Sequence, residues 1–483
     1  MTLDLSEPRR VHIVGIGGMA MSGIAAVLVR LGHTVSGSDL KAWRGLERLR
    51  FLGVEVNVPH DAACLPAELD AVVVSTAIPA TNPEVVAARE RGVPVLRRAE
   101  ALAAIVDTRR TVAISGTHGK TTTSTMTTLI LRAAGWHPSF LIGGEPNEVG
   151  GNAAYDDGEW LVVEADESDG TFVEIAPEAV ILTNVEADHL DHYGDMAALE
   201  AACARYLAGA PGPRVACADD PGAARLAAEV SAAGRPVLTY GEADGADYRI
   251  GGYSGNRLGS RFDLFRHGEP LGEILLPAPG RHNARNAAGA AAVAIEIGVP
   301  FDAVRAALGR FAGVARRFQV HGEVGGVTLV DDYAHLPGEI KATLAAAREG
   351  AWSRIVAVFQ PHRYSRTARL WRDFGDAFDD ADVVVLTDVY AAGEPPQPGI
   401  SGRLILQAVC EARPRTRVLY LPKRADVLAR LPGLTRSGDL VLTLGAGDVT
   451  SLPDEWLRSG RGFGGAGDAG AGAEGDRDRV PVP

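Results

Sequence analysis

The chain has 483 residues, 46% of them hydrophobic and 23% charged, with a formal net charge of −13. One hydrophobic core does not fill that length, so about two to four domains are expected; the acidic balance argues against non-specific nucleic-acid or membrane-surface binding and leaves anions to local Arg, Lys and backbone groups. Cys64, Cys203, Cys217 and Cys410 form no Cys-x-x-Cys pair, Met1–Arg10 lacks an apolar signal core and no apolar run is long enough to cross a bilayer, so reduced thiols, no membrane insertion and a cytoplasmic setting are expected.

Short Val/Ile/Leu-rich strands alternate with Ala-rich helices, which predicts βαβ units, parallel sheets and an α/β fold in three blocks. The first block runs to about Thr108, with strands near Val11–Gly15, Thr34–Ser38 and Ala71–Ser75. Its opening strand enters the glycine turn Gly15-Ile-Gly17-Gly18-Met-Ala-Met-Ser22-Gly23 and then a helix, the geometry that sets a diphosphate on a helix N-terminus. Asp39 follows the next strand, placed to accept hydrogen bonds from a ribose or base. A nicotinamide or flavin dinucleotide is one reading and a ligand-free βα turn the other. Ala20 in the third glycine slot is a tolerated variant and does not decide between them.

The second block runs from about Arg109 to Val314. Arg109–Ile114 reads as a strand and Thr121–Arg132 as a helix, joined by Ser115-Gly-Thr-His-Gly-Lys120. Of the 48 basic residues only Lys41, Lys120, Lys341 and Lys423 are lysines. A lysine retained inside a glycine turn points to chemistry that wants a compact ammonium. Strand, glycine turn, Lys-Thr and helix form a triphosphate cradle, with Lys120 directed at the β/γ oxygens and the Thr121 hydroxyl at Mg²⁺. The spacing is short: Ile114 stands where a standard P-loop has its first glycine, and Gly116 is the nearer one. Trp160–Glu164 is an apolar strand ending in a carboxylate, so Glu164 is favoured as magnesium ligand, while Asp166 and Glu167 read better as a solvated acidic loop. Strand Ala179–Asn184 leads to Asp188-His189-Leu-Asp191-His192, residues of metal-ligand type or a structural polar rim. Tyr248–Leu276 alternates like antiparallel strands. Gly280-Arg-His-Asn-Ala-Arg-Asn286 precedes a helix expected over Ala287–Ile297, where Asn286 either meets an adenine or starts the helix.

The third block begins near Ala315, with strands at Thr328–Asp331, Arg354–Phe359, Asp382–Thr387 and Asp439–Leu444. Two of these precede Asp331-Asp332-Tyr333-Ala-His335 and Gln360-Pro-His362-Arg363-Tyr-Ser-Arg366. Arg363 and Arg366, i,i+3 at a helix start beside His362, suit bidentate capture of a small carboxylate, or else form a surface basic turn. Residues after about Ser459 lack large apolar groups and read as a disordered tail.

In order along residues 10–455, these motifs resemble the ATP-dependent amino-acid ligases of peptidoglycan-precursor synthesis. The resemblance rests on GIGGMAMSG (15–23), SGSD (36–39), STAIP (75–79), GTHGKTTT (116–123), EADESDGTF (164–172), TNVEADHLDHY (183–193) and GRHNARN (280–286). It continues through ARRF (315–318), DDYAH (331–335), FQPHRYSRT (359–367), YAAGE (390–394) and GAGD (445–448). It implies three domains: Rossmann-like 1–108 for a UDP-sugar, a P-loop ATPase over 109–314 with a mostly parallel sheet and a small antiparallel one, and Rossmann-like 315–458 for the amino acid, before the tail 459–483.

The implied reaction joins L-alanine to the lactyl carboxylate of UDP-N-acetylmuramate through an acyl phosphate, using ATP and two Mg²⁺ ions. The resemblance implies that Gly116, Thr117, His118, Gly119, Lys120, Thr121 and Thr122 hold the triphosphate and that Asn286, Arg317 and Asp332 serve the nucleotide. It gives Thr121 and Glu164 to one ion and His189 to the second. Gly17, Gly18, Ser22, Asp39, Ser75 and Thr76 would take the UDP-sugar. His362, Arg363 and Arg366 would position the amino acid, and Lys120, His189, Arg363 and Arg366 are the catalytic candidates. Leu336 stands where the family commonly has a second histidine. No lysine lies between Lys120 and Lys341, so the carbamylated lysine of sister ligases is unavailable, which fits the alanine-adding branch. A tripeptide-recycling ligase on the same UDP-sugar and a nicotinamide-dependent oxidoreductase are the alternatives; oligomeric state is not readable.

Overall fold

The computed structural model describes residues 3–42, 44–188 and 190–460. His189 and nearly all of the expected tail lie outside them. Three sheets carry the chain, giving the three-domain α/β architecture that the strand–helix alternation predicts. Strands β1 (Arg10–Val14), β2 (Thr34–Ser38), β3 (Glu55–Asn57), β4 (Ala71–Val74) and β5 (Val95–Arg97) form a parallel sheet in the order β3-β2-β1-β4-β5. The order reverses at β1, so the glycine turn after β1 sits at the switch point where ligands enter such sheets.

The second sheet contains β6 (Arg110–Ser115), β7 (Ser139–Leu141), β8 (Ala153–Ala154), β9 (Trp160–Glu164) and β10 (Ala179–Leu182). It continues with β11 (Arg214–Cys217), β12 (Leu238–Gly241), β13 (Tyr248–Asn256), β14 (Gly259–Arg266) and β15 (Glu269–Leu276). The order is β15-β14-β13-β12-β11-β10-β6-β9-β7-β8, and β13–β15 are antiparallel, as their alternation predicts. β6 lies between β9 and β10, so the loops after all three meet at one edge. The third sheet is β16 (Gln319–Val324), β17 (Val327–Asp332), β18 (Arg354–Phe359), β19 (Val383–Leu386), β20 (Arg417–Tyr420) and β21 (Asp439–Leu444), ordered β16-β17-β21-β18-β19-β20.

By contacts the chain divides into two compact units. The first runs to Gln319 and includes Lys341–Ala351, and the second holds Val320–Ile340 and the described residues from Trp352 onward. Within the first unit the two sheets share an apolar cluster that runs from Ile24 and Leu28 to Leu141 and Ala153. Polar clasps join them: Arg97 grips Glu174 with two 2.8 Å bonds, and Asn152 Nδ2 donates to Met19 O at 2.7 Å.

Helix 120–133 is polar in sequence yet almost wholly buried. Three of its hydroxyls bond back to the preceding turn: Thr125 donates to Thr121 O at 2.8 Å, Thr127 to Thr123 O at 2.8 Å and Thr128 to Ser124 O at 2.9 Å, whereas Thr123 Oγ1 and Ser124 Oγ are buried without a protein partner. Such back-bonding removes the cost of burying a lone hydroxyl. The Ala-rich helix packed against it starts at Arg281, not at Ala287 as the sequence suggested. Gly280, at φ +94°, begins the helix early, so the Gly280–Asn286 motif forms its first turns instead of preceding it.

Candidate functional site

The loop after β6 is held open by two glycines in left-handed conformations. Gly116 has φ +128°, and a Cβ there would lie 2.2 Å from Thr183 Oγ1; Gly119 has φ +80°, and a Cβ there would lie 2.5 Å from Asn286 Oδ1. Neither position admits a side chain. The loop after β10 clamps the turn: His118 N–H donates to Asn184 Oδ1 at 2.8 Å, while Thr183 Oγ1 and Asn184 Nδ2 donate to His118 O at 2.6 and 3.1 Å. Thr117 N–H donates to Asn184 O at 3.2 Å, and Thr117 Oγ1 accepts from Glu186 N–H at 2.9 Å. Helix 120–133 then starts at Lys120 with no side-chain cap and no acid in its first turn, leaving its positive end for an anion.

Lys120 Nζ donates to Glu167 Oε1 and Oε2 at 2.9 and 2.7 Å, and to Gly116 O at 2.6 Å. Burial opposes its charge, but Glu167 and then Asp166 outweigh it and raise the lysine pKa above its usual value. Glu167 is only 2% exposed, so it does not belong to the solvated loop expected for Asp166 and Glu167, whereas the Asp166 side chain stays 34% exposed. That expectation came from composition; the strand order folds the run back onto Lys120. Asp166 lies next to it and, despite burial, is held below the usual carboxylate range by Lys120 and Arg98. Arg98, from the first domain, donates to Asp169 at 2.7 Å and to Asp166 at 3.5 Å.

Thr121 Oγ1 donates to Glu164 Oε1 at 3.1 Å, and the other carboxylate oxygen accepts Gly143 N–H at 2.7 Å. Burial pushes Glu164 up, partly offset by Lys120, the Gly143 amide and Thr121. Two hard oxygen donors 3.1 Å apart match the roughly 3 Å edge of a magnesium octahedron with bonds of about 2.1 Å, so this pair fits a divalent cation. Thr122 is buried beside them. His282, two residues into the helix that carries Asn286, is pushed down to about 4 by burial and then by Arg285 and Arg317, which places Arg317 near the same helix.

In the glycine turn after β1, Gly15 and Ile16 N–H both donate to Ser38 O, at 2.9 and 3.0 Å. Asp39 Oδ2 accepts Gly17 N–H at 2.8 Å and Oδ1 accepts Leu40 N–H at 2.8 Å, so Asp39 braces the turn from which a ligand would hang. Gly18 caps helix 19–30, which has no side-chain cap and no acid in its first turn; Ser22 Oγ donates to Met19 O at 2.9 Å. Ser75 N–H donates to Val14 O at 3.2 Å at the mouth of this turn, with Thr76 exposed beside it.

In the second unit, Asp332 is buried and its Oδ1 accepts Ala334 N–H at 2.8 Å. His362 stacks on Tyr390 at 5.8 Å and lies edge-on to His335 at 5.9 Å; Arg366 Nη1 is 3.2 Å from its Nδ1. Burial, then His335, Arg366 and Arg363, push its pKa down to about 3. Arg363 is the N-cap of helix 364–370 with φ +69°, and Arg366 lies in the first turn, so the expected i,i+3 pair stands at a helix start. Sequence reasoning missed Glu167, Asn184 and Arg98 as partners. Their signal was motif membership for the first two, and nothing local for Arg98.

Three family descriptions match in order: Mur ligase family, catalytic domain over residues 10–110, Mur ligase middle domain over 114–294, and Mur ligase, glutamate ligase domain over 316–447. A UDP-N-acetylmuramate–L-alanine ligase of Solidesulfovibrio magneticus is 47% identical over 460 residues, covering 95% of this chain and 99% of that one. The chain belongs to the Mur ligase family. Among solved structures, the UDP-N-acetylmuramate–alanine ligase of Thermotoga maritima aligns with TM-score 0.78 and 29% identity, over 93% of this chain and 99% of that one. A murein peptide ligase of Psychrobacter arcticus aligns with TM-score 0.68 and 25% identity, over 94% of this chain and 98% of that one. Among the described residues no helix of this Mur ligase is long and apolar enough to cross a membrane.

Proposed function

We propose that this chain carries out the ATP-dependent joining of L-alanine to the lactyl carboxylate of UDP-N-acetylmuramate, releasing ADP and phosphate, in peptidoglycan-precursor synthesis. The observation that carries the reading is the Lys120–Thr121–Glu164 group at an uncapped helix N-terminus, in a chain of which 95% aligns with an alanine-adding ligase. The working domains are taken as 1–108 for the UDP-sugar, 109–314 for ATP and 315–458 for the amino acid.

Charge placement sets the order of events. The lactyl carboxylate and the γ-phosphate repel each other, and Lys120 with the helix N-terminus offsets that repulsion. In this reading Lys120 exchanges Glu167 for the phosphate, so a phosphate replaces a carboxylate at the same ammonium. A carboxylate oxygen attacks the γ-phosphorus, the bond to the β–γ bridging oxygen breaks, and an acyl phosphate and ADP result. The alanine amine then attacks the acyl carbon, loses a proton and expels phosphate. Thr121 and Glu164 would hold a magnesium ion, which would supply positive charge to the triphosphate; His189, outside the described residues, would help to hold a second. Asn286 against Gly119 and Arg317 near the same helix suit the nucleotide, with Asp332 assigned to it by motif. His362 in its neutral form, with Arg363 and Arg366, suits the alanine carboxylate.

A phosphate-release assay with UDP-N-acetylmuramate and ATP tests this directly. Turnover with L-alanine well above that with L-Ala-γ-D-Glu-diaminopimelate supports the reading; the reverse preference makes the chain a tripeptide ligase, and no release with either refutes it.

A further inference from the structure

Beneath the glycine turn of the first domain lies a polar cluster that the proposed reaction does not use. Glu84 is fully buried, and its carboxylate collects four donors from three segments of chain. Oε2 accepts from Ser38 Oγ at 2.6 Å and lies 2.8 Å from His12 Nε2. Oε1 accepts Asp61 N–H at 3.0 Å and lies 3.3 Å from His60 Nδ1, which is itself 2.7 Å from Ser38 Oγ. His12 Nδ1 completes the set with Ser36 Oγ at 2.8 Å. Local sequence aims Glu84 inward. Asn82 caps helix 83–90 by accepting Glu84 N–H at 2.9 Å, and Pro83 fits the first helical position. Burial alone would favour the acid form, yet the bonds from His12 and Ser38 hold Glu84 below the usual carboxylate range.

We infer that Glu84 is a positioning residue for the UDP-sugar turn, acting through Ser38. Ser38 is the residue whose carbonyl takes the Gly15 and Ile16 N–H groups, and the next residue, Asp39, takes that of Gly17. Fixing the Ser38 side chain from below therefore steadies the three amide bonds that give the turn its shape. The inference rests on the reading of residues 15–23 as the UDP-sugar turn.

Glu84→Gln tests it because both ends of the carboxylate face donors. The Asp61 amide can only donate, so the new NH₂ must turn toward Ser38 and His12. Ser38 must then accept from it, in competition with His60, and the turn above shifts. Titration calorimetry with UDP-N-acetylmuramate on the full chain should show affinity weakened by about tenfold or more, with the KM for ATP moved by less than about twofold. Ser38→Ala should weaken the same affinity by a smaller factor. The double variant should fall short of the product of the two, since both act through one contact. Unchanged UDP-sugar affinity with only a lower unfolding temperature, in either variant, overturns the inference and leaves Glu84 a structural residue. Equal weakening of ATP and UDP-sugar does the same. If Glu84→Gln does not fold, Ser38→Ala alone decides. A wild-type chain that binds no UDP-sugar refutes the functional reading instead.

Discussion

Replacing Glu167 with Gln should destabilise the nucleotide-free enzyme and tighten its grip on ATP. The side chains of Lys120 and Glu167 are 13% and 3% exposed and meet at 2.7 Å, so their attraction is little screened by water. Gln keeps one carbonyl for the ammonium but loses the charge, and the Gly116 and Thr117 carbonyls at 2.6 and 3.3 Å remain. Losing one charge-assisted buried hydrogen bond while keeping the others costs about 2 kcal/mol. If ATP draws Lys120 away from Glu167, the nucleotide-bound enzyme does not feel that loss. By linkage, about 2 kcal/mol felt only by the free enzyme tightens ATP binding by roughly 30-fold. Unfolding midpoints of wild type and Glu167→Gln, measured with and without ATP, read both quantities. A clear gap without ATP should close at saturating ATP, and calorimetry should show the tighter Kd. An equal gap in both conditions, or an unchanged Kd, would mean that Lys120 stays on Glu167 and would refute the exchange.

Other outcomes follow from the same geometry. Lys120→Ala should abolish turnover in a coupled ADP assay while leaving UDP-N-acetylmuramate affinity nearly intact; full activity would remove Lys120 from the chemistry. Arg366→Ala should raise the KM for L-alanine by about tenfold or more, the cost of a charge-assisted pair, with the ATP KM little changed; an unaltered alanine KM would refute its role. His362 is held down to about 3 against its ordinary 6.5, so below pH 6.5 the unfolded chain binds a proton that the native one refuses. Stability therefore falls as pH drops through that window, and His362→Gln should lose less between pH 7 and pH 5 than wild type in unfolding midpoints.

Much of the fold was legible because the central parallel strands are buried on both faces and read as short apolar runs. Trp160–Glu164 and Ala179–Leu182 are examples, and the Lys120 loop stood out because arginine fills almost every other basic position. What stayed hidden depends on strand order. Glu167 looked solvated because nothing local says that the loop after β9 lies beside the loop after β6, two segments about 45 residues apart that neighbouring strands bring together. The early start at Arg281 was missed because an arginine- and histidine-rich run reads as loop until Gly280 is seen to cap it. The Glu84 cluster left one trace, a histidine at position 12 inside an otherwise apolar strand, and its partner lies 72 residues away.

The central claim is that the lactyl carboxylate itself attacks the γ-phosphate before the amine arrives. UDP-N-acetylmuramate carrying ¹⁸O in that carboxylate, turned over with ATP and L-alanine, tests it by mass analysis of the released phosphate. One labelled oxygen in each phosphate is the result the acyl-phosphate route requires, and phosphate free of label would contradict it.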